Sequence, residues 1–210
     1  SLSSVKKYDE AILCFQKSVT LNPKHASSHN AIARLSNINN KRIPALLAYC
    51  RFLSLEPQSN RAKENLSSLK KIMIGNVEAT GKKSVTINIS PDMLGDTTSN
   101  GKPKENSFSS TDLILSMDAA MDFDKKNKKK TEVEQFIRKF ETVCASLKET
   151  KKDNYGFFWD NYVPFFTEMK DKNFIETFGY IAFASSDDLD IAKWLKGHKS
   201  ETDKFFEWSK

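Results

Sequence analysis

A pattern that returns after 34 residues constrains the fold of this chain more than any other feature of its sequence. The pattern joins a small residue, an aromatic residue and a proline at fixed spacings. Its first copy is Ala11, Phe15, Ser18 and Pro23, and its second copy is Ala45, Tyr49, Phe52 and Pro57. A period of this length is typical of repeats in which each unit is a pair of helices joined by a turn. The sequence therefore predicts stacked helical hairpins in the first third of the chain.

The pattern resembles that of the tetratricopeptide repeat (TPR), and the chain resembles bacterial proteins of that family. Residues 26–59 form the one complete unit. The resemblance implies that Ala45 lets the two helices approach closely and that Tyr49 fills the gap between them. Pro57 ends the second helix, because proline cannot continue a helix. Phe52 stands where the family has a small residue, which indicates contact with a bulky group such as the C-terminal region.

The flanking units are incomplete. Residues 5–21 match the second helix of a preceding unit, and residues 60–73 match the first helix of a following one. In this last helix, one face carries four apolar residues, namely Ala62, Leu66, Leu69 and Met73. We therefore expect that the sequence begins inside a repeat and that the N-terminal part of the protein is truncated.

The resemblance also implies a binding surface, because TPR proteins bind other proteins along a groove lined by their first helices. The equivalent positions here are Ser27, Asn30, Arg34, Asn37 and Ile38, then Arg61, Glu64, Ser68, Lys71 and Ile72. We predict that an acidic or polar segment of another protein is bound by Asn30, Arg34, Asn37, Arg61 and Lys71. The alternative is an ordinary polar helix face, covered in part by the C-terminal region.

The charge distribution favours a protein partner over nucleic acid. Residues 1–72 carry 12 Lys or Arg and 4 Asp or Glu, whereas residues 131–210 carry 12 and 15. A basic surface attracts acidic partners. The chain has 28 Lys but only 5 Arg, and contacts with bases and phosphates depend strongly on Arg. We therefore predict no nucleic-acid partner, and no apolar run is long enough to span a membrane.

The repeats end near Gly75, where the composition becomes that of a loop. Residues 74–107 are rich in Gly, Ser, Thr, Asn and Pro. Within them, residues 84–90 alternate apolar and polar side chains, as in a half-buried strand. Residues 77–80 are placed to pair with this strand across Gly81, Lys82 and Lys83. The sequence therefore predicts a linker that contains a small β element.

Residues 108–210 read as an aromatic-rich helical domain. Thr131 and Glu134 form a capping box at the start of one helix. Asp118, Asp122 and Asp124 are interpreted as the polar face of another. The domain resembles an extension of unassigned role on some bacterial TPR proteins. The segments that carry this likeness are Gly156-Phe157-Phe158-Trp159, Tyr162-Val163-Pro164-Phe165-Phe166 and Trp194-Leu195.

The aromatic residues of this domain have two interpretations. Most large aromatic side chains are buried in a core, and a helical domain of this size needs such side chains. Alternatively, Phe157, Trp159 and Tyr162 line a cleft that binds a ligand such as a carbohydrate. This second possibility is the alternative function for the chain.

No motif for catalysis or for a cofactor is present. The sequence lacks a phosphate-binding glycine loop, a nucleophile elbow and a metalloprotease motif. Asp187, Asp188 and Asp190 fail the spacing of a calcium loop and fit the start of a helix instead. Cys14 and Cys50 are interpreted as small buried residues, and no pair of cysteines has the spacing of a zinc site. We predict that the protein is not an enzyme and holds neither a metal nor a cofactor.

These patterns together predict a mainly all-α fold. A short TPR array (residues 1–73) is followed by the linker (74–107) and a C-terminal helical bundle (108–210). We expect a soluble protein of the cytoplasm or the periplasm that acts as an adaptor or scaffold.

Overall fold

The computed structural model describes residues 2–81, 84–89, 98 and 101–209. The helices are α1 (Leu2–Leu21), α2 (Ala26–Ile38), α3 (Arg42–Leu55), α4 (Asn60–Ile74), α5 (Ser109–Ala120), α6 (Glu132–Thr150), α7 (Phe157–Asn161), α8 (Val163–Asp171), α9 (Ile175–Ala182), α10 (Leu189–Gly197) and α11 (Lys199–Ser209). The strands are β1 (Val77–Ala79) and β2 (Val85–Ile87). The prediction of a mainly helical fold with a small β element is confirmed. Among the described helices, none has both the length and the apolar character that crossing a bilayer requires.

The chain forms two compact units. Unit 1 consists of Ser1–Leu69 and Tyr180–Lys210, and unit 2 consists of Lys70–Gly179. The boundaries fall inside α4 and α9. The helical domain predicted for residues 108–210 is therefore divided, because α10 and α11 belong with the N-terminal helices. Periodicity within a helix does not reveal which distant helix covers it, so this division was not predicted from the sequence.

Unit 1 is built around α3. Every residue from Ile43 to Ser54 is buried, and α2 packs along this helix while α11 contacts it as well. Ala45 and Tyr49 are both buried, as expected for the inner side of a helical hairpin. The guanidinium of Arg51 donates to the carbonyl oxygen of Ser209 at 3.2 Å. The C-terminal helix is thus attached to α3 by a buried polar contact as well as by packing.

The two outer helices of this array differ in how well their predicted faces are covered. In α4, Ala62, Leu66 and Leu69 are buried, as predicted. In α1, the prediction that Cys14 is buried is wrong, because this residue is exposed. Its neighbour Leu13 is 57% exposed. Both residues lie on a side of α1 that no described helix covers.

The β element of unit 2 is a short antiparallel hairpin. Val77 pairs with Ile87 and Ala79 pairs with Val85, and both strands contact α5. The strand predicted for residues 84–90 is thus present as a shorter one. Residues 82, 83 and 90 of the predicted hairpin lie outside the described residues. A two-stranded sheet alone is only marginally stable, and the hairpin of unit 2 is stabilised by packing on α5.

The helical part of unit 2 is organised by α6. Its N-terminus has the predicted capping box, in which Thr131 and Glu134 bond to each other's backbone N–H groups. On its buried face, the ring of Phe140 lies 5.2–5.5 Å from three other phenylalanine rings, those of Phe136, Phe166 and Phe178. Aromatic pairs at such distances stabilise a core beyond their buried area. The apolar face of α6 therefore points to the interior of unit 2.

A polar contact from a distant segment fixes the start of α7. The backbone N–H of Phe158 donates to Oδ1 of Asn106 at 2.9 Å. The indole N–H of Trp159 donates to the carbonyl of Ser107 at 3.1 Å. The ring of Phe108 stacks on that of Trp159 at 4.6 Å. Asn106 and Ser107, at the end of the predicted linker, are thus a structural part of unit 2, together with Phe108.

Candidate functional site

The candidate site is a polar face on unit 1 formed by α2 and α4, and residues that are one repeat apart meet on it. Nη1 of Arg61 donates to Oγ of Ser27 at 3.0 Å, across 34 positions of sequence. One level further along, Ser68 hydrogen-bonds the phenol of Tyr49, and the charge of Arg34 acts on the same phenol. The two helices are therefore joined directly by the bond between Ser27 and Arg61, and Tyr49 of α3 lies under the influence of both helices at the next level. We call the surface made by Ser27, Arg34, Asn37, Arg61, Glu64 and Ser68 the polar face.

Arg34 supplies the accessible positive charge of the polar face. The residue is exposed, and its guanidinium forms no ion pair with any residue that the structure describes. Burial raises the pKa of Tyr49, while the hydrogen bond from Ser68 and the charge of Arg34 act to lower it. The phenol next to Arg34 therefore stays neutral at physiological pH, and the charge of Arg34 is available to a carboxylate of a ligand.

Arg61 is more constrained than the sequence suggested. Its Nε and Nη2 atoms donate to the two carboxylate oxygens of Glu56, at 3.1 and 2.5 Å. Partial burial acts to raise the pKa of Glu56, but the hydrogen bonds from Arg61 and Ser59 and the Arg61 charge lower it overall. The guanidinium also lies 5.5 Å from the centre of the Phe52 ring. The positive charge of Arg61 is thus balanced by Glu56, and the role of Arg61 is to orient the side chains at this end of the polar face.

The other predicted site residues differ in accessibility. Asn37 is exposed, and so is Ile38 beside it. Asn30 is half-buried, and its Oδ1 atom is buried with no hydrogen-bond partner among the described residues. That oxygen is therefore out of a ligand's reach. Lys71 is exposed on the part of α4 that belongs to unit 2, and it is not counted in the polar face.

Two further positions implied by the repeat resemblance behave differently from each other. Glu64 is exposed and places a negative charge on the same helix as Arg61. Ile72 is buried, so it does not line a surface as the resemblance implied. Glu56 was not singled out in the sequence, although a carboxylate five residues before Arg61 is a signal that the two could pair.

Two of the three histidines of unit 1, His25 and His29, form hydrogen bonds near the turn between α1 and α2. His29 is 2% exposed, and its Nε2 donates to the carbonyl of Pro23 at 3.0 Å. Burial lowers the pKa of His29 to about 4, and the nearby charge of Arg51 acts in the same direction. His25 bonds through Nδ1 to the buried hydroxyl of Ser28 at 2.8 Å.

Unit 2 contains a buried cluster of charges that the sequence did not reveal. Arg138 forms ion pairs with Asp118 and Asp122, and Lys139 forms one with Asp122 at 2.5 Å. The interpretation of Asp118 and Asp122 as a polar face was wrong, because the first is buried and the second is largely covered by its ion pairs. Burial lowers the pKa of Arg138. The opposite charges balance each other, so the cluster is structural.

The aromatic residues of the C-terminal half are mainly core. Trp159 is 2% and Tyr162 is 1% exposed, so two of the three residues proposed to line a ligand cleft are inaccessible. In unit 1, Trp194 stacks on Tyr180 at 3.9 Å and on His198 at 4.0 Å. Two nearly parallel rings at these distances occupy both faces of the indole. The indole of Trp194 therefore has no free face on which a sugar ring could stack, whereas Tyr155 is 54% exposed.

The acidic residues before α10 form a helix start, as interpreted from the sequence. Oδ1 of Asp188 accepts from the backbone N–H of Asp190 at 2.9 Å, and Asp187 pairs with Lys63 at 2.6 Å. Across the described ranges, no group of three or more His, Cys, Asp or Glu is arranged to hold a metal ion.

Comparison of the chain with protein-family models, with curated proteins and with solved structures gives no match. The functional argument therefore rests on the geometry of the polar face and on the sequence pattern.

Proposed function

We propose that this chain is a TPR-like protein-interaction module that binds an acidic or polar segment of another protein on the polar face of unit 1. The observation that carries the proposal is the hydrogen bond from Arg61 on α4 to Ser27 on α2, two residues that lie 34 positions apart. A fixed period that aligns polar side chains on neighbouring helices is the basis of peptide binding in helical repeats.

The burial pattern of unit 1 supports this choice of surface. α3 is enclosed on all sides, so the second helix of the hairpin has no free face for a partner. The first helices, α2 and α4, present exposed polar residues together with the exposed Ile38. A surface with one unpaired arginine, several hydrogen-bonding groups and an apolar residue fits an extended peptide that carries a carboxylate.

We propose a non-catalytic role for the same reason. The polar groups of the face form short-range bonds that orient side chains, namely Arg61 with Glu56 and Ser68 with Tyr49. Activation of a nucleophile needs a base within hydrogen-bonding reach of it, and the polar face holds no such pair. The chemistry available there is recognition of a carboxylate and of peptide groups.

The test is a selection of random peptides displayed on phage against the full chain, followed by fluorescence anisotropy with the enriched peptides. We expect the enriched peptides to carry carboxylates. The Arg34→Glu variant should bind them about tenfold or more weakly, since it reverses the only unpaired positive charge of the face in the described chain. The Arg34→Lys variant should retain part of the affinity.

Lys17→Glu provides the matched control, because Lys17 is exposed on α1 and the charge change is the same. This variant should bind as the unchanged protein does, apart from a small effect of net charge at low salt. Equal loss in both variants would mean that net charge, and not the polar face, determines binding. Enriched peptides that bind Arg34→Glu normally would show that the face is assigned wrongly.

A further inference from the structure

A run of lysines on the surface of unit 2 is not explained by the polar face or by the fold. The run, residues 125–130, follows the short 3₁₀ turn Met121–Phe123 that ends α5, and we call it the lysine loop. Five of its six residues are lysines. Four of them, Lys125, Lys126, Lys128 and Lys129, are exposed. Among the residues that the structure describes, none forms an ion pair with these lysines.

The backbone of the lysine loop is held in one conformation by its single non-lysine residue. Asn127 is 5% exposed, and its Nδ2 donates to the carbonyl of Met121 at 2.9 Å. Its backbone N–H donates to the carbonyl oxygen of Asp124 at 3.0 Å. Its own carbonyl oxygen accepts from the backbone N–H of Lys130 at 3.0 Å and from the side-chain amide of Gln135 at 3.1 Å. Like charges repel each other when they are held close together. An ordered backbone in a run of lysines therefore has an electrostatic cost that a flexible loop would avoid.

Two exposed methionines lie beside the lysine loop. Met117 is 57% exposed and Met121 is 47% exposed, and they are one helical turn apart. The hydrogen bond from Asn127 joins the loop directly to Met121. The exposed lysines and the exposed methionines thus belong to segments that meet at Met121, so this part of unit 2 offers basic and apolar groups close together.

We propose that this surface docks unit 2 onto a membrane that carries anionic phospholipids. The lysines would attract the negative headgroups, and the methionines would enter the boundary between headgroups and acyl chains. Surfaces that bind lipid in the plane of the interface combine basic residues with apolar ones in this way. The proposal is independent of the peptide-binding function, which concerns unit 1.

The residue types favour a lipid surface over other polyanions. Bidentate arginine contacts and aromatic stacking dominate the recognition of nucleic acids. The lysine loop contains neither Arg nor an aromatic residue. An acidic peptide is best recognised by bidentate arginines. Lysine is a point charge with little directional preference, which suits a fluid array of headgroups.

The test is flotation of the full chain with vesicles of phosphatidylcholine, with and without phosphatidylglycerol. We expect binding only to the anionic vesicles, with an affinity that falls as salt is raised. Replacing Lys125, Lys126, Lys128 and Lys129 by Gln should weaken binding about a hundredfold or more, since each lysine near an anionic surface contributes severalfold. Replacing Met117 and Met121 by Ser should weaken binding to a lesser degree and leave its salt dependence unchanged.

A matched control replaces four other exposed lysines, Lys17, Lys24, Lys151 and Lys152, by Gln. This variant has the same net charge as the loop variant and should bind the anionic vesicles almost normally. Circular dichroism should show the unchanged helical spectrum for all variants, because the replaced side chains are exposed. The proposal is overturned by failure to bind anionic vesicles or by equal loss in both quadruple variants. Equal affinity for heparin or double-stranded DNA in solution would overturn it as well.

Discussion

Each unit contains one residue that accepts hydrogen bonds from two basic side chains, but the two acceptors differ in charge. In unit 1, the carbonyl of Pro23 accepts from His29 at 3.0 Å and from Arg51 at 3.4 Å. In unit 2, the carboxylate of Asp122 accepts from Arg138 and from Lys139. A carbonyl is neutral, so it cannot balance two positive charges in a buried place. A carboxylate can balance one, and Asp118 balances the other.

The difference explains the charge state of each group. His29 stays neutral because burial disfavours its protonated form and Arg51 already supplies a positive charge nearby. Arg138 and Lys139, in contrast, form ion pairs with the carboxylates of Asp118 and Asp122. Unit 1 therefore depends on an imidazole that must not be protonated. Unit 2 depends on carboxylates that must not be removed.

The largest expected effect is the loss of the shared acceptor in unit 2. The Asp122→Ala change leaves Arg138 and Lys139 with one carboxylate between them in a buried environment. Breaking a buried ion pair in this way typically costs about 3–5 kcal/mol. Hydrogen exchange measured by mass spectrometry on peptides from α6 should show the lost protection, since α6 carries both cations.

Asp124→Ala is the matched control for this prediction. Asp124 is exposed, only two residues away, and removal of its side chain should change stability by no more than about 0.5 kcal/mol. If Asp122→Ala exchanges no faster than Asp124→Ala, the cluster is not a buried network that stabilises unit 2. The contrast with the neutral acceptor of unit 1 would then fail.

The second prediction concerns the pH dependence of stability that is caused by His29 in unit 1. The pKa of His29 is lowered from 6.5 to about 4 in the folded state. As the pH falls from 6.5 to 4, the unfolded chain takes up a proton at His29 and the folded chain does not. The stability due to the neutral imidazole is therefore complete above pH 6.5 and is lost progressively toward pH 4. The loss should reach about 3 kcal/mol, measured by urea unfolding at a series of pH values.

The His29→Gln variant separates this effect from the titration of carboxylates. Glutamine can still donate to the carbonyl of Pro23 but does not titrate, so the variant should lose less stability than the unchanged protein between pH 6.5 and pH 4. Titration of the His29 ring followed by NMR gives the pKa directly. A value near 6.5, or equal pH dependence in the two proteins, would contradict the prediction.

The sequence predicted most of the local structure because local signals are strong in this chain. Periodic apolar residues located α4, the capping box at Thr131 located the start of α6, and alternation at Val85 and Ile87 located the hairpin. The helix that was predicted to carry Asp118, Asp122 and Asp124 ends instead at Ala120. The difference is explained by the side chain of Asn127, which bonds to the carbonyl of Met121 and favours a 3₁₀ turn there.

Long-range contacts were the part that the sequence did not reveal. A 34-residue period aligns Ser27 with Arg61, so part of the polar face was predictable. The pairing of Arg51 with Ser209 spans 158 positions and leaves no periodic trace. The same is true of Asp122 with Arg138, because a charge on a helix gives the same pattern whether it is solvated or paired with another element.

The smallest predicted effect compares the starts of the two central helices. α6 has a capping box at Thr131, whereas α3 begins after Lys41, whose side chain makes no capping bond. Thr131→Ala should therefore destabilise unit 2 by about 1 kcal/mol, and Thr131→Ser should restore most of it. Lys41→Ala should change unit 1 by less than about 0.5 kcal/mol, because burial rather than a cap holds α3. Hydrogen exchange in α6 and α3 measures both, and an equal response would show that burial dominates in both helices.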